Sequence, residues 1–165
     1  MNIGIAGYTG RVGQILVREL QSGQWKGLDL IAGSSRSIHP EHVPSEKFLV
    51  VGTAEDLCTA SDCVIDFTTP EGTQTLLETA VKTQTSMVIG TTGLDAAMEL
   101  KIKDAANTIP IVYAANMSVG VNLLLALVEQ AASKLGPQWD IEIFEAHHKN
   151  KIDSPSGTAL ALGKA

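Results

Sequence analysis

The stretch that decides the fold is Ile3-Gly4-Ile5-Ala6-Gly7-Tyr8-Thr9-Gly10-Arg11-Val12-Gly13. Ile3 to Ala6 is short and apolar without alternation, the pattern of a strand buried on both faces. Glycines follow at positions 7, 10 and 13. A helical run over Arg11 to Leu20 then places Val12, Ile15, Leu16 and Leu20 on one face. Strand, glycine turn and helix in that order form the context that a dinucleotide-binding turn requires. A helix N-terminus has unpaired N–H groups and a positive dipole end. Glycine lets the backbone come close to a pyrophosphate and lets the helix pack on its strand. The spacing here is GxxGxxG rather than GxGxxG, and a tight strand-to-helix turn with no ligand uses the same residues.

Outward from this turn, short apolar runs alternate with amphipathic stretches. Strands are expected at Leu28 to Ala32, Phe48 to Val51, Cys63 to Phe67, Met87 to Ile89 and Ile111 to Tyr113. Thr69-Pro70-Glu71 opens a helix, with Thr69 as N-cap and Pro70 at the first helical position. Further helices are expected from Asp95 to Asn107 and from Ser118 to Leu135, the latter stopped by Gly136-Pro137. Strands alternating with helices of this length imply an α/β fold, a Rossmann-like parallel sheet built from βαβ units. Ligands of such a sheet sit at the carboxyl ends of its strands.

After Gly136 the pattern changes. Trp139 to Ala146 alternates in places, as a strand with one wet face does. His147-His148-Lys149-Asn150-Lys151 follows, and Ser154-Pro155-Ser156-Gly157-Thr158 opens a last apolar helix. We expect a dinucleotide-binding domain over 1–118 and the incomplete beginning of a second, α+β unit over 119–165.

Composition excludes some classes of function. Of 165 residues, 44% are hydrophobic and 18% charged, which suits a packed core. The formal charge of -6 disfavours wrapping nucleic acid or coating an anionic membrane. Aromatics at 4% weaken any base-stacking reading. Cys58 and Cys63 make no disulfide framework and read as buried thiols in a reducing compartment. The N-terminus has no basic region followed by a long apolar one, and no apolar run approaches the roughly 20 residues of a membrane span. The expected location is the cytoplasm.

Two loops carry further chemistry. The second strand ends Gly33-Ser34-Ser35-Arg36, with no acid of the kind that bonds ribose hydroxyls in NAD-preferring sites. A small hydroxyl and a guanidinium suit a 2′-phosphate, so NADPH is expected over NADH; an ordinary solvated Arg36 is the alternative. His147, His148, Lys149 and Lys151 cluster within an acidic chain. Adjacent histidines on an extended segment point opposite ways, so no metal site is expected there. The start of the next helix, Ser156-Gly157-Thr158, is an anion seat. Beside lysine and imidazole it would suit a carboxylate substrate, with a histidine able to supply a proton near neutral pH. A solvated basic loop is the alternative reading.

The segment EAHHKNKIDSPSGTA, Glu145 to Ala159, resembles the signature of the 4-hydroxy-tetrahydrodipicolinate reductase (dihydrodipicolinate reductase) family of the diaminopimelate route to lysine. So do GYTGRVG at the start, DFTTPEGT from Asp66 to Thr73, VIGTTGL from Val88 to Leu94 and AANMSVGVN from Ala114 to Asn122, in the family's order. The resemblance implies an NADPH-dependent oxidoreductase, with NADH usable, that acts on a small dicarboxylate as a homotetramer. It implies His147 as proton donor and Lys151 as a second catalytic group. His148 would contact substrate, and Gly157 with Thr158 would hold a carboxylate. Gly7, Tyr8, Thr9, Gly10, Arg11 and Val12 would cradle the pyrophosphate. Ser35 and Arg36 would meet the adenosine ribose and its 2′-phosphate. Gly90, Thr91, Thr92, Ala114, Ala115, Asn116 and Met117 would line the nicotinamide end.

Some positions depart from the family. Ser35 stands where some members carry an acid for NAD, and Met117 where an aromatic is common. The family's second domain is larger than Val119 to Ala165, so the 165-residue chain alone is expected to be weakly stable or to aggregate. Two rival readings stand beside this one: a dehydrogenase of another substrate with the same nucleotide domain, and a non-catalytic nicotinamide-binding module.

Overall fold

The computed structural model describes residues 1–36, 48–114, 116–149 and 154–165. It divides into two compact units, Met1–Tyr113 and Ala114–Ala165.

The first unit runs β1 (Asn2–Ala6), α1 (Arg11–Gln21), β2 (Asp29–Ser34), β3 (Leu49–Val51), α2 (Ala54–Ala60), β4 (Cys63–Asp66), α3 (Pro70–Thr83), β5 (Ser86–Ile89), α4 (Ala96–Ala105) and β6 (Ile111–Tyr113). The six strands form one sheet in the order β3-β2-β1-β4-β5-β6, and every pairing is parallel. The chain therefore moves outward from β1 on one side, then returns to pair β4 against its other side. The carboxyl ends of β1 and β4, at Ala6 and Asp66, lie side by side at this reversal. A reversal of strand order opens a crevice at the strand ends, where such sheets bind ligands.

Alternate residues along each strand feed two cores. Ala6, Ala32, Val64, Met87 and Ile89 pack with Leu57 and Cys58 of α2, Leu76, Leu77 and Ala80 of α3, and Met98 and Ile102 of α4. Ile3, Ile5, Leu30 and Cys63 pack with Leu16, Val17 and Leu20 of α1. Both faces of the sheet are covered, which explains why its strands read as uninterrupted apolar runs. Cys58 and Cys63 are both buried, and burial pushes the Cys58 thiol up to about 11.

Three expectations are corrected. The inward stripe of α1 is Gly13, Leu16, Val17 and Leu20, while Val12 and Ile15 are 40% and 50% exposed. The sheet takes only a narrow stripe of this helix, and Gly13 allows the close approach. A Cβ there would stand 2.2 Å from the Gly7 carbonyl oxygen and 2.7 Å from Tyr8 Cα. Helix α2 was not expected at all. It is seven residues long, capped by the Thr53 hydroxyl on the Asp56 N–H, and buries Leu57 and Cys58.

The third correction falls in the second unit, which contains α5 (Val119–Leu135) and α6 (Gly157–Lys164). Trp139 to Ala146 forms no strand. A strand exists only by pairing, and the described residues of this unit include none to pair with. Ile141, Ile143 and Phe144 are 57%, 44% and 93% exposed. Helix α5 begins where expected, with the Ser118 hydroxyl accepting the Val121 N–H as its N-cap, and ends at Gly136.

Candidate functional site

Among the described residues, every helix N-terminus but one is closed by a side chain. Thr53, Thr69, Asp95, Ser118 and Ser156 each cap the helix that follows. The N-cap of α1 is Gly10, which has no side chain to offer. Its first-turn N–H groups thus face outward without a built-in acceptor, at the positive end of the helix. The turn before it is held from within. The N–H groups of Gly7 and Tyr8 donate to the Ser34 carbonyl at 2.8 and 3.3 Å, and that of Gly10 donates to Gly7. Gly7 has φ +73, a conformation that glycine adopts without strain.

A cleft of about 720 Å³ opens at this place. The ends of β1 and β2 contribute Gly7, Thr9, Gly10, Ser35 and Arg36, and the loop after β4 contributes Phe67, Thr68 and Thr69. The Thr9 and Ser35 hydroxyls meet at 2.6 Å, so the glycine turn and the end of β2 form one rim. Tyr8 stands apart from the rest of the turn. Its ring is 2% exposed and packs edge-on against Phe48, with ring centroids 5.5 Å apart. Gly90 and Thr91 are buried beside the cleft, and Thr92 is exposed. A Cβ on Gly90 would fall 2.1 Å from the Phe67 ring, so glycine there makes room for a wall residue.

Glu71 also lines this cleft, and sequence reasoning gave it no role. An acid in the first turn of a helix is ordinary dipole chemistry, so no sequence signal distinguishes it. Its carboxyl is held below the usual range by its own backbone N–H and the Thr69 hydroxyl, with a further contribution from Arg36. One end of the cleft therefore carries both signs of charge.

The second unit holds another group of polar residues. His147 Nε2 lies 2.7 Å from Glu145 Oε2, and Glu145 Oε1 accepts the Ser156 N–H at 2.8 Å. Glu145 thus ties an imidazole to the start of α6. These bonds, that to Ser156 first, pull the Glu145 carboxyl down to about 2. The Thr158 hydroxyl accepts from Asn116 Nδ2 at 3.0 Å, while Asn116 Oδ1 accepts the Ser118 N–H at 2.8 Å. His147 and His148 are exposed, Gly157 and Thr158 are half-buried, and Met117 is 40% exposed. Lys151 and Ala115 lie outside the described residues, and Ala114 begins this unit. Glu145 was part of the quoted signature but carried no assigned role.

The chemistry of each group is plain. The cleft offers open amide donors, hydroxyls and a guanidinium, which is the donor set for a phosphorylated ligand. The second group offers a carboxylate-oriented imidazole and helix-start amides, which suit a proton transfer next to a bound carboxylate.

Residues 1–117 match the family model for the N-terminus of dihydrodipicolinate reductase, and residues 120–165 match the model for its C-terminus. The chain is 47% identical over 170 residues to the 4-hydroxy-tetrahydrodipicolinate reductase of Pseudoalteromonas translucida (strain TAC 125), an alignment covering 99% of this chain and 63% of that protein. It is 44% identical to the enzyme of the same name from Bordetella pertussis (strain Tohama I / ATCC BAA-589 / NCTC 13251), covering 98% and 62%. Among solved structures, dipicolinate-bound dihydrodipicolinate reductase from Paenisporosarcina sp. TG-14 matches with a TM-score of 0.77 and 25% identity, covering 99% of this chain and 64% of that one. The chain thus spans somewhat less than two thirds of the length of these relatives.

Proposed function

This chain belongs to the dihydrodipicolinate reductase family, and from that premise we propose that it reduces 4-hydroxy-tetrahydrodipicolinate to tetrahydrodipicolinate with NADPH, in the cytoplasm, NADH being usable as well. The observation that carries this reading is the uncapped start of α1 opening into the cleft where β1 and β4 part. The first-turn amides of α1, from Arg11 and Val12, would hold a pyrophosphate. Gly7 and Gly10 give it room, and Thr9 and Ser35 form the adjoining rim. Arg36 would meet a 2′-phosphate. Tyr8 supports the turn from the core. Gly90, Thr91, Thr92, Ala114, Ala115, Asn116 and Met117 keep the nicotinamide-end assignment given by resemblance.

A bound reduced nicotinamide supplies the hydride. The chain's own residues do the rest. The amides of Gly157 and Thr158 bind a substrate carboxylate, and Asn116 fixes the Thr158 hydroxyl that faces the same seat. His147, oriented by Glu145, delivers a proton as the hydride adds, and water leaves. Lys151 adds positive charge for the dicarboxylate and acts as the second catalytic group, with His148 as a further substrate contact. No helix among the described residues is long and apolar enough to cross a membrane. We propose assembly as a homotetramer, on the family resemblance.

The test is loss of reduced-nicotinamide absorbance when the protein meets NADPH and the fresh condensation product of pyruvate and aspartate semialdehyde. The expected result is a loss that needs both. NADPH binding without turnover on any dicarboxylate would instead favour a non-catalytic nicotinamide-binding module.

A further inference from the structure

Asp66 is the last residue of β4 and is fully buried, so it does not line the cleft, and no step above uses it. A carboxylate taken out of water is unfavourable unless donors surround it. Asp66 has three. Oδ1 accepts from the Thr68 N–H at 2.9 Å and from the Thr68 hydroxyl at 2.6 Å. Oδ2 accepts from the Thr73 hydroxyl at 2.5 Å. Among the described residues no cation joins them.

Each donor belongs to a part of the cleft wall. Thr68 lines the cleft, and its N–H also donates to the Thr91 hydroxyl at 3.1 Å. Thr68 thereby links the loops after β4 and β5. Its methyl group stands 3.0 Å from where a Gly7 Cβ would be, so it backs the glycine turn as well. Thr73 lies in α3, is fully buried, and fixes that helix against the strand end. The Asp66 backbone completes the set, its carbonyl accepting the Gly90 N–H at 2.9 Å. One buried side chain thus sets the relative positions of three strand ends around the cleft.

We propose that Asp66 is a positioning residue for the cofactor: through Thr68 and Thr73 it holds the β4 side of the cleft at the distance from the glycine turn that a dinucleotide requires. This rests on the cofactor reading given above. A residue that only stabilised the fold would change the fraction of folded protein. Asp66 changes the affinity of the folded fraction, because the wall it holds is the binding surface.

The test titrates intrinsic fluorescence with NADPH, and in parallel NADH, for the wild type, Asp66→Asn, Thr73→Val and Thr73→Ser, and records a melt of each. Asp66→Asn keeps the shape but leaves one oxygen for three donors. Thr73→Val removes one donor at nearly constant volume, and Thr73→Ser restores it. We expect Kd for NADPH to rise about tenfold in Asp66→Asn and in Thr73→Val, the scale of one charge-assisted hydrogen bond. Thr73→Ser should bind within about twofold of wild type, well under that step. Should Asp66→Asn not fold, the contrast between the two Thr73 variants decides alone. Wild-type affinity in the variants, whatever their melts, overturns the proposal. A wild type that binds neither nucleotide overturns the cofactor reading and this proposal with it.

Discussion

Glu145 joins His147 to Ser156: one carboxylate oxygen lies 2.7 Å from the imidazole Nε2 and the other accepts the Ser156 N–H at 2.8 Å. The ring is thereby oriented relative to the start of α6, where an anion would sit. His147→Gln is expected to lower kcat by roughly 10²- to 10⁴-fold, the usual scale for a positioned general acid, with a small change in KM. Steady-state kinetics with saturating nucleotide measure this, and near-normal turnover would remove the role.

Glu145→Gln separates orientation from proton transfer. Its neutral amide can still bridge to Ser156 but loses the charge beside His147. We expect a fall in kcat of roughly tenfold, smaller than for His147→Gln because His147, the proposed proton donor, remains. A loss as large as that of His147→Gln would mean that Glu145 itself takes part in the chemistry.

The same bridge sets a pH dependence with a defined sign. The Glu145 carboxyl lies at about 2 in the folded protein, below its ordinary value of 4.5, owing first to its bonds to Ser156 and then to that with His147. A depressed carboxyl stabilises the folded state fully above its unfolded value, and that contribution is lost as the pH falls through the folded value. The docking of α6 should therefore weaken between about pH 4.5 and pH 2. A carboxyl ¹³C titration of Glu145 should show its midpoint near 2, and a midpoint near 4.5 would contradict the bridge.

The sequence made some of this legible and not the rest, for physical reasons. Strands β1, β4 and β5 are buried on both faces, so their apolar runs are unbroken. The Thr69-Pro70 helix start follows from local chemistry alone, as do the helix starts at Ser118 and Ser156. Helix α2 escaped notice because AEDLCTA is too short for a helical period to show and its Thr, Cys and Asp are weak helix formers. Trp139 to Ala146 has a strand's alternation, but alternation cannot supply a neighbour to pair with. The Asp66 and Glu145 networks close over sequence distances of up to 24 and 11 residues, which no local pattern reports. Glu71 gains its significance only from lining the same cleft as Arg36.

Gly13 tests the packing of the glycine turn. A Cβ there would meet backbone atoms, the Gly7 carbonyl at 2.2 Å and Tyr8 Cα at 2.7 Å, and backbone cannot swing aside. Gly13→Ala should cost about 1–3 kcal/mol, as overpacking in a tight interior does, and should weaken NADPH binding by displacing α1. Gly52→Ala is the control, since a Cβ at Gly52 meets nothing within 4 Å. Its melt should stay within about 0.5 kcal/mol of wild type. Equal melts for the two variants would show that α1 can move away from the turn without loss.

Arg36 and Glu71 give the cleft a charge of each sign where the adenosine end of a cofactor would lie. A 2′-phosphate is attracted by the first and repelled by the second, whereas a 2′-hydroxyl is nearly indifferent to both. Arg36→Ala should therefore raise Kd for NADPH by about tenfold or more, the loss of a charge-assisted contact, and leave that for NADH almost unchanged. Glu71→Gln should act in the opposite direction, tightening NADPH by about two- to threefold at low salt, since it removes a like charge facing the phosphate across solvent. The gain should shrink at high ionic strength, because the group is exposed to solvent. Parallel titrations with both nucleotides at two salt concentrations measure all four quantities. An unchanged NADPH to NADH ratio in both variants would place the 2′-position away from this pair.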